Sequence, residues 1–149
     1  QAGASVYVDF AYKGEALENT LKTLRSMISK DKKILNVFST CGDIYESKTR
    51  RLELGAVSST YADVSILTDD SPRTESAQKI RDEVMLHCPG GIEVKTGRRD
   101  AIKKAMSLAG AGDVILVAGK GHEDFVTFGS ENIPYTDQET VTELLKEGY

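Results

Sequence analysis

Two short stretches of this chain crowd together side chains able to hold a small charged ligand. The first runs Asp69-Asp-Ser-Pro-Arg-Thr-Glu75. Arg73 carries a planar fork that pairs a carboxylate bidentately, and Asp70 presents a carboxylate to an ammonium. Acid and base together suit an amino acid, whose own charges are paired. The same residues also suit an internal ion pair that braces a proline-fixed turn. The second stretch runs Val117-Ala-Gly-Lys-Gly-His-Glu-Asp124. Its glycines permit close backbone approach or positive φ. Lys120, His122, Glu123 and Asp124 follow directly on an apolar run, which favours a functional loop over a plain surface turn. His122 with Glu123 is too sparse for a zinc site, because no second His or Cys stands at ligand spacing.

Two further stretches have weaker signatures. In Asp9-Phe-Ala-Tyr12, the Asp9 carboxylate suits the ribose hydroxyls of a nucleotide, or equally the cap of a following helix. Ser39-Thr-Cys-Gly-Asp43 is a small-residue turn followed by Lys48, Arg50 and Arg51. Backbone N–H groups and cations there suit a phosphate or carboxylate; a solvated loop with scattered charge is the plainer reading. No G-x-x-x-x-G-K-S/T occurs, so the chain cannot cradle phosphates in the P-loop manner. No G-x-G-x-x-G follows the first strand, which argues against a dinucleotide-dependent oxidoreductase.

All four stretches lie where apolar runs end. Ser5 to Phe10, Lys33 to Phe38, Asp63 to Leu67 and Asp113 to Val117 read as strands, the last two as central ones covered on both faces. A short strand is expected at Ile92 to Lys95. Leu17, Leu21, Leu24 and Ile28 recur at helical spacing within Glu15 to Ser29. Further helices are expected near Arg51 to Tyr61, Ser76 to His87 and Arg99 to Leu108, with Ser39 to Arg50 a loop. Phe125 to Phe128 and Asn132 to Tyr135 suggest a hairpin through Gly129. A last helix, about Asp137 to Lys146, begins at an Asp cap and ends at Gly148. This alternation predicts an α/β fold: a Rossmann-like, mostly parallel sheet of about six strands with helices on both faces. Ligands bind such sheets in the crevice beyond the carboxyl ends of the strands.

The bulk properties agree with this reading. The 149 residues are 40% hydrophobic and 28% charged, ordinary values for a globular chain. Net charge is −4 and the pI near 5.2, so no basic field exists to hold nucleic acid. An anionic ligand must be held by local groups. No run approaches the ~20 apolar residues of a membrane span, and no signal peptide opens the chain. Cys41 and Cys88 form no C-x-x-C pair and suggest a reducing compartment, with the cytoplasm as default. Residue 1 is Gln rather than Met, consistent with a piece of a longer protein.

In order and spacing, these pieces resemble the C-terminal domain of the Mur ligases, closest to the branch that adds the third amino acid of the peptidoglycan stem peptide. The matching text is Val8-Asp-Phe-Ala-Tyr12 with Ala16-Leu17, Gly42-Asp43, Ala62-Asp-Val64 leading into Thr68 to Glu75, Gly97-Arg98, and Asp113 to Asp124. The resemblance covers nearly the whole chain. It implies that residues 1–149 form a single amino-acid-binding domain, a fragment of a three-domain ligase dependent on ATP and Mg²⁺. Its implied substrates are UDP-N-acetylmuramoyl-dipeptide and a free diamino acid, meso-diaminopimelate or a relative, or else lysine or ornithine. Carried over by position, Asp9 and Tyr12 would meet the nucleotide. Asp70, Ser71, Arg73, Gly119 and Glu123 would form the amino-acid pocket, with Glu123 near an ammonium and Asp70 holding its loop. No catalytic residue and no metal ligand is assigned within this chain. Most phosphate and Mg²⁺ contacts would belong to the central domain.

The chain departs from the family's pattern at three places. The usual Asp-Tyr-Ala-His reads Asp9-Phe-Ala-Tyr12, Ser71 replaces an asparagine, and the usual Gly-Asp-Arg reads Gly42-Asp43-Ile44. The missing arginine meets a substrate carboxylate in diaminopimelate-adding members, so Lys48, Arg50 or Arg51 is expected to stand in. A non-catalytic nucleotide- or amino-acid-binding module on the same fold is the alternative.

Overall fold

The computed structural model describes residues 3–43 and 45–149. Strands β1 (Ser5–Asp9), β2 (Ile34–Phe38), β3 (Val64–Leu67), β4 (Ile92–Glu93) and β5 (Val114–Ala118) form one parallel sheet in the order β1-β5-β2-β3-β4. That is five strands rather than about six. The remaining two, β6 (Phe125–Phe128) and β7 (Glu131–Pro134), pair with each other as a separate antiparallel hairpin turning at Gly129, which has φ +59°.

Alternating side chains of the central strands reach opposite faces. Ile34, Phe38, Val114, Leu116 and Ala118 pack against α1 (Gly14–Met27), α2 (Ser47–Tyr61) and α3 (Ala77–Met85). Leu35, Val37, Ile66, Ile115 and Val117 pack against α4 (Arg98–Leu108) and α5 (Asp137–Lys146). Each of the larger side chains, removed from water, contributes roughly 1.5–3 kcal/mol. The helices cover both faces of the central strands, whose carboxyl ends stay open to a ligand.

Three local expectations need correction. Helix α2 starts at Ser47, four residues before Arg51. Glu46 turns the chain with φ +66°, and the first turn carries solvent-facing Lys48 and Thr49, so no apolar period marks it. The cap of α5 is Thr136, whose Oγ1 accepts the Glu139 N–H at 3.1 Å. Asp137 is fully buried and engaged elsewhere. Strand β4 stops at Glu93, two residues short of the expected end.

Candidate functional site

The carboxyl ends of β1, β2, β3 and β5 converge on a cavity of about 240 Å³. Phe10 and Tyr12 follow β1; Ser39, Thr40 and Cys41 follow β2; Asp70 and Arg73 follow β3; Gly119 and Glu123 follow β5. Arg50, from the first turn of α2, completes the wall.

Lys120 holds this arrangement together, although it presents as an ordinary loop lysine between two glycines. It is fully buried, and its ammonium donates to Asp70 Oδ1 at 3.1 Å, Glu123 Oε2 at 3.0 Å and the Phe125 carbonyl at 2.7 Å. Burial works against its charge, but the two carboxylates outweigh it and hold the pKa above the ordinary lysine range. Lys120 is therefore a fixed cation and no base. Asp70 also accepts from Cys41 Sγ at 3.4 Å. Burial first, and then the Asp70 charge, push the Cys41 thiol up to about 12, so it stays protonated.

Arg73 sits at φ +56°, a left-handed conformation uncommon outside glycine, asparagine and aspartate. Backbone pairing to the hairpin holds it there: its N–H donates to the Thr127 carbonyl and its carbonyl accepts from Gly129 N–H. Its exposed side chain pairs with no carboxylate among the described residues. The internal ion pairs of this turn use its acids instead, Asp69 with Arg81 and Asp70 with Lys120.

Ser71 does not line the cavity. Its Oγ accepts the Thr127 N–H at 3.0 Å and donates to Asp70 Oδ1 at 3.3 Å, so it fastens the loop to the hairpin. The β2 turn is locked to the same loop. Gly42 N–H donates to the Ser71 carbonyl, and Asp43 Oδ2 accepts both the N–H and the hydroxyl of Thr74. Those two Thr74 donors, side-chain then backbone, hold the Asp43 carboxyl below its ordinary range. A Cβ on Gly42 would lie 2.0 Å from the Pro72 carbonyl oxygen, so only glycine fits.

The basic residues after this turn have separate fates. Lys48 is exposed and outside the cavity. Arg51 is buried, with its two terminal nitrogens paired to Glu75 at 2.8 Å and Glu83 at 2.6 Å and away from the cavity lining, which removes it as a ligand contact there. Arg50 alone of the three lines the cavity, its guanidinium carbon 5.0 Å from the Tyr12 ring centroid. Ile44 lies outside the described residues.

Asp9 is not brought into the cavity. It lines a groove on the α1 side with Asn19, Thr20 and Thr23, and it accepts the Thr20 hydroxyl at 2.9 Å. It caps no helix, since α1 begins after Lys13. Gly119, at φ +109°, donates its N–H to the Asp9 carbonyl, and Gly121 at φ +53° lets Phe10 pack against the backbone. His122 lies against Phe10, ring centroids 4.7 Å apart.

Arg98 braces the strand ends from below. Fully buried, it makes a bidentate pair with Asp137 at 2.8 Å and donates to Ser39 Oγ and the Ala118 carbonyl. One side chain thereby joins the ends of β2 and β5 to the start of α5. Among the described residues no cluster of acids, histidines or cysteines could hold a metal, and no helix is long and apolar enough to cross a membrane.

Residues 1–121 match the family described as Mur ligase, glutamate ligase domain. Over 146 residues the chain is 41% identical to the UDP-N-acetylmuramoyl-L-alanyl-D-glutamate--2,6-diaminopimelate ligase of Mesorhizobium japonicum, covering 98% of this chain and 29% of that protein. The enzyme of the same name from Agrobacterium fabrum is 42% identical over 145 residues, with 97% and 29% covered. A solved structure of a ligase of that name superposes with a TM-score of 0.88 at 28% identity, over 99% of this chain and 30% of that one. The chain thus spans about 29% of the length of the curated relatives it matches.

Proposed function

The chain belongs to the Mur ligase family, and from that premise we propose that it is the C-terminal, amino-acid-binding domain of a longer three-domain ligase. On this reading the whole enzyme acts in the cytoplasm. It joins a diamino acid of the diaminopimelate type to UDP-N-acetylmuramoyl-dipeptide. The observation that carries the proposal is the cavity itself, where Arg73, Gly119 and Glu123 meet from two strand ends, in a chain about 41% identical to ligases named for diaminopimelate.

ATP, when bound, supplies the phosphoryl group that turns the dipeptide carboxylate into an acyl phosphate. The incoming amine then attacks the acyl carbon and phosphate leaves. This chain's part is delivery. Arg73 takes a carboxylate of the amino acid in a bidentate grip, and Glu123 takes an ammonium that does not react. Gly119 lets the backbone come close. Fixing the reacting amine against its target contributes most of what a binding domain can add to the rate. Asp70 and Ser71 act at one remove, holding the Arg73 loop against Lys120 and the hairpin. Asp9 and Tyr12 support a nucleotide contact less directly, since Asp9 opens on a different groove. Among the described residues no group of three or more acids, histidines or cysteines gathers as a metal cage; on this reading the Mg²⁺ ligands belong mainly to the rest of the ligase, and no step here runs through the ion.

The test is amino-acid-dependent phosphate release by the full-length enzyme, compared across diaminopimelate, lysine, ornithine and lanthionine. Arg73→Ala should raise the amino-acid KM sharply while the 149 residues alone turn over nothing. An unchanged KM removes Arg73 from the pocket, and amide formation by the isolated chain refutes the division of labour.

A further inference from the structure

The Ala118–Gly119 peptide, at the end of β5, is gripped from both sides. Its carbonyl accepts from Arg98 Nη2 at 2.8 Å, and its N–H donates to the Asp9 carbonyl at 3.1 Å. Gly119 therefore has little freedom to tilt, although it sits at φ +109° and lines the cavity. The same guanidinium donates through Nη1 to Ser39 Oγ at 2.7 Å, and Ser39 lines the cavity from the end of β2. A Cβ on Gly119 would stand 3.8 Å from the Ser39 carbonyl oxygen, so the two walls meet closely there.

The guanidinium is itself fixed. Nε and Nη2 donate to the two oxygens of Asp137, both at 2.8 Å, and the Tyr135 hydroxyl donates to Asp137 Oδ1 at 3.0 Å. A rigid planar fork can meet Asp137, Ser39 and Ala118 at once, where a lysine ammonium is a single point charge. Stability alone does not account for burying this pair. Taking two charges out of water costs about what their attraction returns, and an apolar pair of similar volume is often no less stable. Helix α4 is docked independently, since Ala101, Ile102, Ala105 and Met106 already bury its apolar face against the sheet. What the pair adds is direction.

We infer that Arg98 is a positioning residue of the ligase: anchored on Asp137 and Tyr135, it acts through Ser39 and the Ala118–Gly119 peptide to set the spacing of two cavity walls. The inference rests on the ligase reading above and adds to it a residue that touches no substrate. Arg98, Tyr135 and Asp137 all lie outside the lining of the strand-end cavity. Their effect reaches the amino acid only through the backbone of Gly119 and the end of β2. A shift of the fork therefore loosens the grip on the amino acid without altering any group that holds it.

The experiment pairs steady-state kinetics of the full-length ligase with its urea unfolding. Arg98→Lys keeps a positive charge opposite Asp137 but loses the fork. It should raise the KM for the amino acid about 3- to 10-fold, the effect of one lost hydrogen bond, with the KM for ATP unmoved. Arg98→Met combined with Asp137→Leu removes both charges together, so no ion is stranded. This double variant should unfold at a urea midpoint close to that of wild type, yet show at least the same rise in KM. Tyr135→Phe, which takes one support from Asp137, should raise the KM about 2-fold. An unchanged amino-acid KM, an equal rise for ATP, or a rise that only follows lost stability across the three variants overturns the positioning role and leaves the ligase reading intact. A wild-type enzyme that releases phosphate with no diamino acid overturns both.

Discussion

The Lys120 ammonium and the Asp70 carboxylate, 50 residues apart in the chain, meet at 3.1 Å almost out of reach of water. Lys120→Met would strand Asp70 as a buried, unpaired charge. A loss of about 3–5 kcal/mol is expected, the usual result of removing one partner of a buried pair, measured by urea unfolding. Adding Asp70→Asn should return part of that stability, because the stranded charge is gone. A double variant less stable than Lys120→Met alone would contradict the account.

At Gly42 the obstacle is backbone, not a movable side chain. A Cβ there would meet Pro72 O at 2.0 Å and Pro72 C at 2.8 Å. Gly42→Ala should therefore force the β2 turn away from the Arg73 loop. A loss of roughly 1–3 kcal/mol, typical of overpacking, should come with a higher KM for the amino acid. An unchanged melting temperature would show that the turn can yield freely.

Asp113 joins the starts of two strands, accepting the N–H groups of Lys33 at 2.9 Å and Gly110 at 2.8 Å. Burial alone would raise its pKa, but these donors outweigh burial and leave it below the ordinary carboxylate value. A depressed folded pKa means stability that is present above the unfolded pKa and lost as pH falls through the folded one. Asp113→Asn should thus be less stable than wild type near pH 7, by about 1–2 kcal/mol. The gap should narrow through the acid range. Chemical denaturation at several pH values measures it, and a gap that widens on acidification would refute the assignment.

Much of this architecture could be read from residue order because β2 and β5 are unbroken apolar runs, Ile34 to Phe38 and Val114 to Ala118. Their polar sequels had to lie at one end of a parallel sheet. What stayed hidden was decided by partners far away in the chain. Arg50 and Arg51 are neighbours of the same type. On a helix their side chains point about 100° apart, from 3.6 residues per turn, so one enters the cavity and the other is buried against Glu75 and Glu83. Without the start of α2, that phase was unknowable. Asp137 looked like a helix cap, and only Arg98 shows why Thr136 takes that place. Lys120 stands between two glycines, where nothing local signals burial. Asp70 is what draws it inside.

The backbone of Arg73 is clipped to the hairpin, and the clip extends the site's influence beyond its lining. Gly129 N–H donates to the Arg73 carbonyl at 2.9 Å from the hairpin turn, outside the cavity. Deuterium uptake at that one amide therefore tracks how firmly the ligand-gripping loop is seated. A bound amino acid that steadies Arg73 would slow it. Occupancy could then be followed in the ground state, with no nucleotide, no turnover and no label on the ligand.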